Sequence, residues 1–232
     1  MQGVEKAHLN AALTAALKAF YDFRHSTVED ALRPIAAYGK RDTLGLDAGP
    51  EITICDELKR YDAGSVVITE EAGTGTRLSD TFRPNDPQTF RTVFISDPTD
   101  RSNQLKEFLA QFPKRKKIGD IFDEHSIRRK WERKFGAPAS ITGATSAISC
   151  VRRGIPIFAV IVNYITQELV VSCAAGNRIV KLPAERPDTV DLDYVRSNGD
   201  ILSFPNVDGE MRSMQRFVTF LGDAGKKGYR EN

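Results

Sequence analysis

From residue 4 to 23 the apolar side chains recur at Leu9, Leu13, Leu17 and Phe20, with alanines between them. That spacing puts them on one face of a helix. Ser26-x-x-Glu29 and Thr27-x-x-Asp30 both have the form of a capping box, so a second helix is expected to open at Ser26 or Thr27. It should run to about Tyr38 and stop at Gly39. Residues 44–50 carry glycine and read as a loop, and residues 51–61 as a helix or extended turn. The β-branched run Ser65-Val66-Val67-Ile68-Thr69 predicts a strand that ends in Glu70-Glu71. After a surface loop over 72–90, residues 91–96 (RTVFIS) predict a second strand, ending in Asp97-Pro98-Thr99-Asp100.

Leu105, Phe108 and Leu109 give a helical pattern to 102–112, which Pro113 closes, and a further helix is expected over 125–135. Beyond Gly143 the period changes. Four strand-like runs, 147–152, 155–164, 168–173 and 178–182, are separated at hairpin-sized intervals, which predicts an antiparallel meander. Pro183, Pro187 and Pro205 break the remainder, where 211–221 reads as a short helix or strand. Helices first and a meander later predict an α+β protein, N-terminal helices packed on a largely antiparallel sheet. Two parts are expected, a helix-plus-sheet domain over 1–182 and the start of a shortened C-terminal domain over 183–232.

Composition narrows the field. The 232 residues are 41% hydrophobic and 28% charged, with a net charge of +2, so no global field favours nucleic acid. No apolar run reaches the ~18 residues of a membrane span, and the first residues lack the apolar core of a signal peptide. Cys55, Cys150 and Cys173 lack metal-site spacing and are expected to be buried free thiols in a reducing, cytoplasmic compartment. The cations are uneven. Lys114-Arg115-Lys116-Lys117, then Arg128, Arg129, Lys130, Arg133 and Lys134, crowd one stretch that Asp120, Asp123, Glu124 and Glu132 dilute in part. A solvated helix face is the common fate of such a run, and a lid gripping a polyanion is the functional alternative.

Two acidic clusters stand at expected strand ends, Glu70-Glu71 and Asp97-Pro98-Thr99-Asp100. Carboxylates gathered there by adjacent strands would repel unless a cation held them, and hard oxygen donors select Mg²⁺. A helix opening at Arg101-Ser102-Asn103 would aim free amides and its positive dipole end at the same point, which suits a phosphoryl group.

At these residues the chain resembles the inositol monophosphatase and fructose-1,6-bisphosphatase superfamily, the lithium-sensitive metal-dependent phosphatases. The matching elements run in order as Thr53-x-x-Asp56, Thr69-Glu70-Glu71 and Asp97-Pro98-Thr99-Asp100-Arg101-Ser102-Asn103. Residues 146–176 are similar to the strands that follow the motif, so the resemblance covers about residues 1–182. It implies a layered sandwich of the sugar-phosphatase type and a Mg²⁺-dependent phosphatase. The substrate would be an inositol phosphate, sugar phosphate or 3′-phosphonucleotide, attacked by metal-activated water. Glu70, Asp97, the Thr99 carbonyl and Asp100 would hold metal. Glu70 and Ser102 would position the water and Asp56 would support it, while Arg101, Ser102 and Asn103 would cradle the phosphate. A homodimer is compatible with the family's habits, and neither membrane nor nucleic acid is an expected partner. Two departures stand out: Arg101 replaces the family's glycine, and no Trp-Asp-x-Ala-Ala follows, the one tryptophan being Trp131. The chain therefore reads as C-terminally shortened. A catalytically weak metal- and phosphate-binding regulatory protein of the same fold is the alternative.

Overall fold

The computed structural model describes residues 3–35, 43–62, 65–69, 92–152 and 155–201. Helix α1 (Gly3–His25) buries Leu9, Leu13, Leu17 and Phe20 as the spacing requires, and Ala12, Ala15, Ala16 and Ala19 are buried too. Small side chains on several faces let neighbouring elements approach the helix closely.

Thr27 caps α2 (Val28–Leu32) in a full capping box: its hydroxyl accepts from the Asp30 amide, and the Asp30 carboxylate accepts from the Thr27 amide. Those bonds from Thr27 hold the Asp30 carboxyl below the ordinary aspartate range. The helix ends six residues before the expected Tyr38. Arg33 takes an extended conformation because Pro34 follows, and a residue before proline avoids the helical region. Residues 36–42 lie outside the described residues.

A larger departure comes next. The segment expected to be a loop is the first turn and a half of α3 (Gly45–Tyr61), with Pro50 inside the helix. The helix starts where it does because Asp47 accepts from the Leu44 amide at 3.4 Å and lends its charge to the positive helix end. Gly45 is required by packing. A Cβ there would lie 2.1 Å from the Asp30 carbonyl oxygen, so only glycine lets α3 start against the end of α2.

The sheet has seven strands in sequential order: β1 (Val66–Thr69), β2 (Thr92–Asp100), β3 (Thr145–Arg152), β4 (Ile155–Asn163), β5 (Glu168–Cys173), β6 (Gly176–Lys181) and β7 (Asp200–Ile201). The β1–β2 pair is parallel and every other pair antiparallel, so the largely antiparallel sheet and its meander are as expected. Helices α1 and α3 pack together and lie against β2, β3 and β4. The residues of those strands that face them, among them Phe94, Ile148, Cys150, Val160 and Val162, are buried, whereas alternate residues are only half-buried. The short helices α4 (Ser102–Leu109), α5 (Ile118–Phe122), α6 (Ile127–Phe135) and α7 (Ala139–Thr142) fill the β2–β3 connection.

The compact unit runs past the expected boundary at 182/183 to Ile201. It includes α8 (Leu192–Asn198), capped by the Asp191 side chain. The expected loop over 72–90 and element over 211–221 lie outside the described residues. Cys55 and Cys150 are buried free thiols, and burial pushes Cys150 up to about 12. Cys173, at the end of β5, is half-exposed, which corrects the expectation that all three are buried. No helix among the described residues is long and apolar enough to cross a membrane.

Replacing Gly45 with alanine is expected to destabilise the protein by about 1–3 kcal/mol, the usual cost of overpacking a tight contact. Urea unfolding of the G45A variant checks this, with the midpoint moving to lower denaturant.

Candidate metal and phosphate site

The acidic motif does not follow β2 as a turn; it is the end of the strand itself. Asp97 pairs with Ala147 and Asp100 with Thr145, so three steps along β2 match two along β3. This is a β-bulge, a feature common beside active sites. Its consequence follows from the two-residue period of a strand. Residues three apart would face opposite sides, but Ala147 and Thr145 share a side, so the extra residue brings Asp97 and Asp100 onto one face of the sheet. The parallel β1–β2 register ends at Thr69 opposite Ser96, the residues immediately before Glu70 and Asp97 in the chain. Glu70 itself lies outside the described residues.

Two hydrogen bonds hold the bulge. The Thr99 hydroxyl donates to the Leu46 carbonyl at 2.8 Å, in a buried contact. In a regular helix that carbonyl would accept from residue 50, but residue 50 is proline and has no N–H. Thr99 thus satisfies the acceptor that Pro50 leaves open, and the start of α3 is fastened to the acidic strand end. From the other side the Tyr164 hydroxyl donates to the Pro98 carbonyl at 3.1 Å. Burial, and then the charges of Asp97 and Asp47, push the Tyr164 phenol above its ordinary range, so it stays a neutral donor. The Ser146 hydroxyl is buried beside it, and the Ser146 and Thr99 hydroxyls, which both meet the phenol oxygen, offset part of that rise.

These contacts bring in a carboxylate that the sequence reading missed. Asp47 is buried at the first turn of α3, and its charge and that of Asp97 are both felt at the Tyr164 oxygen. Glu51, four residues on and so on the same helix face, is fully buried. The signal in the sequence is an acid three residues after Leu44, the position of a capping acid, hidden in a segment whose glycines and proline read as a loop. Asp56, expected to support the site, is exposed on α3. It stands nine residues beyond Asp47, ~13 Å along the axis at the helical rise, so the structure does not bring it to this end.

Helix α4 begins at Ser102, and no side chain caps its first turn. Its preceding residue, Arg101, has φ 65° and ψ 34°, the left-handed region that suits glycine. The Arg101 guanidinium reaches the Asp100 carboxylate at 3.8 Å, a partly exposed contact of little strength. Ser102 is half-buried and Asn103 exposed, so both the amides and the side chains of this turn are open to a ligand.

No three His, Cys, Asp or Glu side chains among the described residues come close enough to hold a metal ion. The donors that are described nevertheless fit a hard cation. Asp97 and Asp100 are carboxylates on one sheet face, neighbouring groups are hydroxyls and carbonyls, and neither sulfur nor imidazole stands at the bulge among the described residues.

The basic stretch is built on a helix whose apolar side is occupied. Ile127 and Trp131 of α6 are buried, and the Trp131 indole donates to Thr142, so that ring offers no stacking surface. Several of its cations have acid partners: Lys116 and Lys130 share Glu124, each at 2.5 Å, and Arg128 meets Glu168 at 3.0 Å. The two ammonium groups hold Glu124 below the usual carboxylate range. Arg128 also donates to the Thr166 carbonyl in the β4–β5 turn.

A mixed sheet with two helices on one face, a bulged acidic strand and a helix opening directly after it define a layered α+β fold of the sugar-phosphatase type. The fold is that of the inositol monophosphatase family. CysQ from Bacteroides thetaiotaomicron, described as a bacterial member of that family, matches with a TM-score of 0.50 at 17% identity, over 89% of this chain and 60% of that one. The extragenic suppressor protein SuhB from Bartonella henselae aligns over 78% of this chain and 55% of its own, at 18% identity and a TM-score of 0.46. For the inositol monophosphatase from Anabaena the figures are 78%, 50%, 17% and 0.43. The chain thus spans about 60% of the length of CysQ. No protein-family model and no curated protein matches the sequence.

Two variants test this geometry. Thr99→Val should cost about 1–3 kcal/mol, because the Leu46 carbonyl is then buried without a donor. In a Pro50→Ala background the amide restored at position 50 can take over, so the same change should cost less, and a double-mutant cycle by urea unfolding reads the difference. Arg101→Gly should relieve left-handed strain of about 1 kcal/mol and raise the melting temperature by a few degrees.

Proposed function

We propose that the chain is a magnesium-dependent phosphoric monoester hydrolase of a small phosphorylated metabolite, an inositol phosphate, sugar phosphate or 3′-phosphonucleotide. The observation that carries this reading is the bulge that sets Asp97 and Asp100 on one sheet face, directly before the uncapped first turn of α4. The fold shared with CysQ supports it. Asp97, Asp100, the Thr99 carbonyl and Glu70 would hold Mg²⁺, which when bound would polarise the phosphoryl group and acidify a water.

The chain's own groups do the rest. The first-turn amides of α4 at Ser102 and Asn103, with the Arg101 guanidinium beside them, neutralise and orient the phosphate oxygens. The Ser102 hydroxyl and the Glu70 carboxylate would orient the attacking water, and Glu70 would take up its proton as the water oxygen bonds to phosphorus; the ester P–O bond breaks, and a second water protonates the leaving alkoxide. Asp47, in place of Asp56, is the carboxylate that α3 presents at this end of the sheet. The three free thiols support a reducing compartment, and we place the protein in the cytoplasm. A second reading, binding of metal and phosphate without turnover, is favoured by one feature. Arg101 adds a charged side chain in a strained conformation where the helix meets the phosphate.

Phosphate release from a panel of sugar phosphates, inositol phosphates and 3′-phosphonucleotides separates the two. The hydrolase reading predicts release that requires Mg²⁺ and falls at least about 100-fold in Asp97→Asn, as expected when a ligand that stabilises the transition state is lost. Mg²⁺ binding with no release from any substrate would favour the non-catalytic reading.

A further inference from the structure

Tyr164 is fully buried, and its ring is fixed from several sides. It stacks on Phe20 of α1 with ring centres 5.8 Å apart and on Phe122 of α5 at 6.5 Å, and Phe23 lies 5.3 Å away. Its own amide donates to the Ala144 carbonyl at 2.9 Å, and the neighbouring Asn163 side chain accepts from the amides of Ile165 and Thr166. Ring and backbone are therefore held, and the hydroxyl is carried to the middle of the acidic bulge, where it meets the Thr99 and Ser146 hydroxyls and donates to the Pro98 carbonyl, 3.1 Å away. A planar peptide whose oxygen is held cannot rotate, so this bond sets the Pro98–Thr99 peptide plane between the two aspartates.

We propose that Tyr164 is a positioning residue of the site: through Pro98 its hydroxyl pre-organises Asp97, Thr99 and Asp100 as a ligand set. The inference rests on the reading of those residues as cation ligands. Groups that orient metal ligands from behind commonly change affinity by about 10–100-fold when removed. Thr99, tied to Leu46, provides the second anchor of the same short segment. With either bond gone, the extra residue of the bulge can relax and take the two aspartates off their common face.

The structure supplies its own control. Tyr21 is also buried, and its hydroxyl also donates to a proline carbonyl, that of Pro183 at 2.8 Å, away from the acidic strand end. Tyr164→Phe and Tyr21→Phe each keep the ring and lose one such bond, so both should lower thermal stability. Calorimetric titration with Mg²⁺ well below the melting temperatures distinguishes their roles. The expected result is at least about tenfold weaker Mg²⁺ binding in Y164F and less than about a twofold change in Y21F. In the wild-type protein, which needs no variant to fold, ¹³Cζ-tyrosine spectra should show the Tyr164 resonance shifting as Mg²⁺ is added while that of Tyr21 stays in place. Unchanged affinity in Y164F, equal losses in both variants, or a Tyr164 resonance that ignores saturating Mg²⁺ would overturn the positioning role and leave the hydrolase reading standing. A wild-type protein that binds no Mg²⁺ would overturn both.

Discussion

A proline in the sixth position of a helix leaves one carbonyl without its amide, and here the hydroxyl of Thr99 takes its place. The start of α3 and the end of β2 are therefore joined where neither is complete alone. That bond joins Leu46, the chain neighbour of buried Asp47, to the bulge that aligns Asp97 with Asp100 just before α4 opens. A buried acceptor without a donor costs about 1–3 kcal/mol, so the two elements separate only against that penalty.

The remainder of the scaffold makes this junction rigid. Alanines let α1 lie closely against α3 and the sheet, and Phe20 and Phe23 of that helix grip the ring of Tyr164. The bulge is thus tied to α3 through a side chain and to the core through a main-chain oxygen. Asp97 and Asp100 share one face of the sheet at an electrostatic cost. The positive end of α3 favours the charge of Asp47, and the open first turn of α4 adds favourable dipoles nearby. A cation held among hard oxygen donors would offset the rest.

The sequence discloses these features unevenly. The meander is legible because the strand period is two and each hairpin turn interrupts it visibly. The α1 face is legible from Leu9, Leu13, Leu17 and Phe20, and the capping box at Thr27 from its spacing. The start of α3 is not. Glycine and proline at positions 45, 49 and 50 argue locally for a loop, and the hydroxyl that rescues Leu46 lies 53 residues away. With that turn hidden, the capping position of Asp47 goes unread and the sequence points instead to Asp56, exposed farther along the helix. The bulge is hidden for a related reason: Asp-Pro reads as a turn, and only the register with β3 shows that the strand continues to Asp100. Tyr164 gives no sign, because an aromatic residue at a strand end looks like any core residue until its hydroxyl is traced to Pro98.

The central claim is that a divalent cation settles at the bulge, and Mn²⁺ can report its place directly through paramagnetic broadening of amide resonances. At substoichiometric Mn²⁺ the account predicts that signals from Asp97, residues 99–103 and Asp47 broaden first, together, while those of the surface acids Asp188, Asp191 and Asp193 remain sharp. Broadening that begins at those surface acids, or spreads evenly over exposed carboxylates and spares Asp97 and Asp100, would contradict it.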